Sequence, residues 1–119
     1  MTADRGSASI WVLSAGALMI AVTSTVLLAG SATIARHQAQ AAADLGALAG
    51  AIRAELEPGG ACAAAAPVVV ANAATMRSCQ ADGLDVIVTA IVPVEGAPPG
   101  IGPAVAVARA GPIQTPVAD

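Results

Sequence analysis

The pattern of apolar and polar positions divides the chain into an uncharged segment near the amino terminus and a longer mixed one. Residues 10–35 are 26 consecutive positions without a charged side chain, and the nearest charged residues on the two sides are Arg5 and Arg36. Written as an α-helix, this run is about 39 Å long, which exceeds the ~30 Å hydrocarbon core of a bilayer. The pattern therefore predicts a transmembrane helix. A cleaved secretory signal is disfavoured, since its apolar region is only about 7–15 residues long.

The helical pattern continues beyond the apolar run, because residues 36–57 contain no proline. Large apolar residues recur there at helical spacing, on one face: Leu45, Leu48, Ile52 and Leu56. Small residues form a second seam at coiled-coil spacing: Ala35, Ala39, Ala42, Gly46 and Ala49. Pro58, Gly59 and Gly60 then end the helix. We predict one helix over 9–57, half transmembrane and half stalk, that bundles with other subunits.

Small residues also recur at every fourth position within the span. Helices pack closely in lipid through such a face. The residues concerned are Ala17, Ala21, Thr25, Ala29 and Thr33. The alternative is that an alanine-rich helix shows small residues at any spacing, and the sequence leaves both interpretations open.

The segment 61–110 predicts a small head that contains both helix and sheet. Residues 61–72 have helical character, whereas 84–92 are rich in β-branched residues and 104–110 alternate, which indicates strands. Asp82 and Gly83 are the strongest hairpin signal in the chain. Residues 93–103 hold four prolines and three glycines and are predicted to form a loop. Residues 1–8 are expected to be a short cytoplasmic leader, and 111–119 a disordered tail.

The chain has two cysteines, Cys62 and Cys79. An even count fits one disulfide in an exported domain, and the alternatives are two buried thiols or half of a metal site. A disulfide also bears on the local fold. Along a continuous helix the two residues would be about 25 Å apart, too far for a bond. A helix that ends near Asn72, followed by a strand over 74–81, brings them together.

These elements predict an α+β fold. A long N-terminal transmembrane helix continues into an extracytoplasmic stalk, and a small helix with a three-stranded antiparallel meander follows. Arg5 precedes the span, whereas Arg36 and Arg53 follow it. Because positive charges favour the cytoplasmic side, this difference favours an amino terminus outside the cytoplasm. The cysteines indicate the opposite, since they place the head in an oxidising space. We follow the cysteines and predict a single-pass cytoplasmic membrane protein with an extracytoplasmic carboxyl-terminal part.

The composition narrows the classes of function. The net charge is −3, lysine, phenylalanine and tyrosine are absent, and no basic cluster occurs, so nucleic-acid binding is not expected. His37 stands alone at the end of the span, and the sequence shows no nucleophile beside a base. We therefore expect no enzyme activity, no cofactor or metal, and no small-molecule substrate.

The order of these features resembles a known family, the TadE-like pseudopilin-related proteins of actinobacteria, which are linked to tight-adherence (Flp-type) pilus assembly. The resemblance lies in residues 4–8 before the span and 35–45 after it. In the head it lies in residues 61–64, 71–72, Cys79 and 82–86. It covers about residues 4–110, and the order and spacing of the segments carry it more than any one of them.

The resemblance implies a function and a processing site. The function is that of a minor pilin-like structural subunit or assembly factor of a Flp pilus or related secretion apparatus. Its partners would be membrane lipid, other pilin-like subunits and inner-membrane assembly proteins. The family's prepilin peptidase cuts after a small residue just before the apolar helix, which implies cleavage between Gly6 and Ser7. Pilin-like subunits usually place Glu at the fifth mature position, where this chain has Trp11.

A function from a different class also fits the residues. The chain would then be a lone membrane-anchored extracytoplasmic binding module or regulator, whose head meets a soluble partner. The mature amino terminus distinguishes the two, because only the pilin-like subunit is expected to begin at Ser7.

Overall fold

The computed structural model describes residues 3–113 and has an α+β fold. Its first element, helix α1, runs without interruption over Ala3–Leu56. Strong helix formers dominate this segment and no proline breaks it. The helix begins six residues before the predicted start, so the predicted leader is helical from Ala3 onward; residues 1 and 2 lie outside the described part. With α1 as its long axis, the molecule measures 89 × 36 × 20 Å.

Helix α2, Ala61–Ala71, follows a tight reversal of the chain and runs back along α1. Pro67 lies inside this helix, where the sequence left open a start at the proline. The predicted left-handed cap at Asn72 is wrong by one residue. Asn72 has a φ of −94° and its side-chain amide donates to the carbonyl of Val68, while Ala73 takes the left-handed conformation, with a φ of 56°.

Three strands complete the head: β1 (Thr75–Asp82), β2 (Asp85–Val92) and β3 (Ala104–Ala110). They pair antiparallel in the order β1-β2-β3, which confirms the predicted meander. Gly83 and Leu84 form the turn between β1 and β2, one residue later than predicted. Gly83 has a φ of 63° at the first central position, where tight hairpin turns require glycine.

The head packs along the outer half of α1. Its core consists of small residues, since alanines of α1 face alanines and valines of α2 and of the inner face of the sheet. Ala39, Ala42, Ala43 and Ala47 of α1 are fully buried there. The small-residue seam predicted to bundle with other subunits is therefore covered by the protein's own head.

Two glycines of α1 allow this close approach. A Cβ atom at Gly46 would lie 2.6 Å from the Cγ2 atom of Val69. A Cβ atom at Gly50 would lie 2.9 Å from the Cγ1 atom of Val86 and 3.0 Å from the carbonyl oxygen of Ala61. All three distances are shorter than ordinary van der Waals contact, so α1, α2 and the sheet meet where α1 has no side chain.

The carboxyl-terminal segment after β3 has no regular secondary structure over 111–113. The remainder of the predicted disordered tail, 114–119, lies outside the described residues.

Candidate assembly surface

The head covers one side of the outer half of α1 and leaves the opposite side free. A row of four large apolar side chains lies on this free side, with exposed fractions of 46, 52, 56 and 76%: Leu45, Leu48, Ile52 and Leu56. We call this row the leucine stripe. Contiguous apolar surface of this kind on the outside of a protein marks an interaction surface. The sequence predicted the stripe but not the side of the helix on which it would remain.

The leucine stripe continues into the apolar half of α1. Leu13, Ile20, Leu27 and Ile34 follow one another at intervals of seven residues, and Leu48 lies two further intervals along. A seven-residue repeat keeps nearly the same side of a helix, with a drift of about 20° per repeat. All four side chains are largely exposed. This heptad row was not predicted above, although its seven-residue spacing is present in the sequence.

The small residues predicted to pack in the membrane lie on the other side of α1. Ala17, Ala21 and Thr25 precede the buried residues of the head-facing seam by 18 positions, which is five turns of an α-helix. They therefore lie directly below the head. α1 thus has a small-residue face and a heptad row within its apolar half, and Leu27 and Ile34 of the row border grooves that the head also lines.

The polar atoms on the small-residue face are satisfied within the helix. The hydroxyl of Thr25 donates to the carbonyl of Ala21 at 2.8 Å, and that of Thr33 donates to Ala29 at 3.0 Å. Hydroxyls bonded in this way present their methyl groups to a neighbour, so the face is apolar as well as small. All five predicted residues are exposed in the single chain.

The disulfide fixes how α2 and β1 meet. Cys62 lies in the first turn of α2 and Cys79 lies on β1, with their Cα atoms 5.8 Å apart, and the two sulfurs are bonded, as predicted. The register of β1 against β2 shifts between Met76 and Ser78. This bulge inserts one residue, so that Met76 and Cys79 both pack against the core despite their odd spacing.

An ion pair lies at the end of the head farther from the apolar half of α1. Arg109 of β3 donates a hydrogen bond to Asp85 of β2, beside the β1–β2 turn. This bond and the charge of Asp85 raise the pKa of Arg109 above its ordinary value, so the guanidinium stays charged. Arg53 and Glu57 form a second, exposed ion pair at 3.2 Å. Among residues 3–113, no three metal-ligating side chains come together.

The comparison with protein families finds a match in the amino-terminal part of the chain. The model of the TadE/G-like Flp pilus-assembly family matches residues 6–54. Over these 49 of the 119 residues the chain is similar to a TadE/G-like domain. The matched family is described as a Flp pilus-assembly family. No curated protein and no solved structure matches the chain.

The TadE/G-like domain coincides with α1. It contains the heptad row, the small-residue face and all of the leucine stripe except Leu56. Its helix is long and apolar enough to cross a membrane. The domain begins at Gly6, and both Gly6 and Ser7, the predicted cleavage residues, are exposed in the first turns of α1. The head lies outside the matched residues.

Proposed function

We propose that this protein is a minor pilin-like structural subunit of a Flp pilus or related secretion apparatus. It is anchored in the cytoplasmic membrane by α1, with its head outside, and its role is assembly and not catalysis. The match to the TadE/G-like Flp pilus-assembly family supports the assignment to this apparatus. The observation that carries the proposal of a subunit is the leucine stripe, an exposed apolar row on the side of α1 away from the head.

The position of this row explains why a partner helix is needed. In the span, lipid can cover apolar side chains at no cost, but the leucine stripe lies beyond the span, where only another protein can remove it from water. Burial of one leucine or isoleucine is worth about 1.5–3 kcal/mol, so the four residues provide a substantial driving force. A heptad spacing favours a second helix of like pattern, parallel because both are anchored in the same membrane.

Photo-crosslinking in cells tests the proposed contact. A photoreactive amino acid in place of Leu48 is expected to crosslink other pilin-like subunits or inner-membrane assembly proteins, because this position faces away from the head. Gln80 provides the matched control, since it is exposed on β1 of the same head. Equal products from both positions would contradict the proposal. Products with a soluble protein alone would favour the anchored binding module instead.

Processing at the predicted site is a separate expectation. We expect mass spectrometry of the protein purified from membranes to find a mature amino terminus at Ser7. The Gly6→Ile variant should retain its leader, because the peptidase is expected to require a small residue there. The Ala8→Ile variant is the control and should be processed normally. An intact leader in the wild-type protein would remove processing from the proposal but leave the crosslinking test unaffected.

A further inference from the structure

The β2–β3 loop, residues 93–103, reaches down beside the apolar half of α1. Glu95 and Gly96 of this loop border one groove with four residues of α1: Ser24, Leu27, Leu28 and Ser31. Pro93 borders a second groove with Ile34 and Ala35. The side chain of Gln38 also donates to the backbone carbonyls of Asn72 and Ala73, at 3.4 and 3.5 Å. The head therefore begins where the apolar run is not yet over.

This placement limits how much of α1 can lie in lipid. The uncharged run is about 39 Å long, which is about 9 Å more than the hydrocarbon core of a bilayer. Leu28 and Ser31 are already half-buried by the head, so lipid cannot surround the helix there. The segment from Trp11 to Leu28 is about 27 Å long, close to the thickness of the core. The bilayer surface then lies at the level of the β2–β3 loop.

The chemistry of the loop suits that level. Glu95 is its one charged residue, and Ile101 is half-exposed. Four of its eleven residues are prolines, which have no N–H group to leave without a partner in an apolar medium. Two further N–H groups are bonded within the loop, Ala97 to the carbonyl of Val94 at 3.3 Å and Ile101 to that of Pro98 at 3.2 Å.

The opposite end of the sheet has the contrasting composition. The β1–β2 turn carries Asp82 and Asp85, with Arg109 beside them. The strands run along α1, and eight residues of strand place this turn about 26 Å beyond the β2–β3 loop. The far end of the head thus carries three charged side chains, whereas the loop carries only Glu95 and the exposed Arg77 lies two residues inside β1.

We propose that the β2–β3 loop is a membrane-contacting surface, which seats the head on the outer leaflet of the bilayer. Val94, Ile101 and the prolines meet the boundary between headgroups and acyl chains, and Glu95 lies among the headgroups. The inference rests on α1 spanning the membrane. It implies that no free stalk separates the head from the lipid.

Tryptophan fluorescence tests this contact, since Trp11 is the one native tryptophan. The full-length Trp11→Phe protein receives Ile101→Trp or, as a second loop position, Pro98→Trp. Leu84→Trp at the β1–β2 turn is the matched control, because Leu84 has a similar exposed fraction, 44% against 50% for Ile101. Each variant is reconstituted in phosphatidylcholine vesicles, with or without bromine near the carboxyl end of one acyl chain. Circular dichroism and an intact disulfide verify the fold.

Bromolipid is expected to reduce emission from positions 98 and 101 about two-fold and to leave position 84 unchanged. A blue-shifted spectrum should accompany the quenching at the loop positions. Emission from both loop positions that is unquenched and water-like would overturn the proposal. The native Trp11 distinguishes the two levels of failure. If Trp11 is quenched and the loop positions are not, only the seating of the head is wrong. If Trp11 is unquenched as well, the result contradicts both the seating of the head and the prediction that α1 spans the membrane.

Discussion

A leucine in place of Gly46 is expected to detach the head from α1. The added Cβ atom alone would lie 2.6 Å from the Cγ2 atom of Val69, and Val69 is fully buried. Overpacking of a core typically costs about 1–3 kcal/mol, and leucine adds three further heavy atoms at the same point. A head of this size has little stability in reserve. We therefore expect a loss of about 3 kcal/mol, enough to leave much of the head unfolded.

Pulse proteolysis across a urea series measures this loss in detergent micelles, because it reports the head without interference from the helical signal of α1. Ala41→Leu is the matched control. It adds a leucine to the same helix, but Ala41 is exposed and does not contact the core. The Gly46→Leu variant should have a lower urea midpoint than the wild type, and Ala41→Leu should not. Equal midpoints for the two variants would mean that the head does not pack on α1 as described.

The types and order of the elements could be predicted from the sequence. The absence of proline over 9–57 specified one helix, and the β-branched run at 84–92 specified a central strand. The cysteines decided the least obvious element, β1, whose sequence is not typical of a strand. Met76 and Arg77 do not predict it, but a disulfide between Cys62 and Cys79 requires the chain to extend and return. The distance that a disulfide requires therefore predicted β1, which the strand propensities of its residues do not.

The partner of the small-residue seam could not be predicted in this way. Helical spacing shows that Ala35, Ala39, Ala42 and Gly46 share a side of α1, but small residues permit close packing against any neighbour. The chain reverses at Pro58, Gly59 and Gly60, and α2 therefore runs back along α1. Because of this reversal, the head covers the small-residue seam. The same reversal leaves the leucine stripe free and brings the β2–β3 loop down to the span.

The heptad row was missed for a different reason. In the span nearly every residue is apolar, so a row of leucines and isoleucines gives little contrast against its surroundings. The row becomes visible only as the continuation of the leucine stripe, which the head leaves exposed. The sequence largely predicted the elements, and the structure shows which side of each element faces the core and which is exposed.

Removal of the disulfide is expected to have an effect of similar size to the Gly46 substitution, through the unfolded state. Cys62 and Cys79 are 17 residues apart in sequence. Closing a loop of this length restricts the unfolded chain and stabilises the fold by about 3 kcal/mol. The core offers little compensation, because Ala39, Ala43 and Ala47 each bury little apolar area. Reduction of the wild-type protein should thus shift most of the head towards the unfolded state.

The urea midpoint of the head, measured with and without reductant, tests this expectation. The Cys62→Ala and Cys79→Ala double variant should match the reduced wild type and should not respond to reductant. A wild-type midpoint that is the same in both conditions would mean that the bond does not stabilise the head. Since the bond forms only in an oxidising compartment, the redox state of the protein extracted from cells also reports orientation. A fully oxidised pair places the head outside the cytoplasm, and a reduced pair would place it inside.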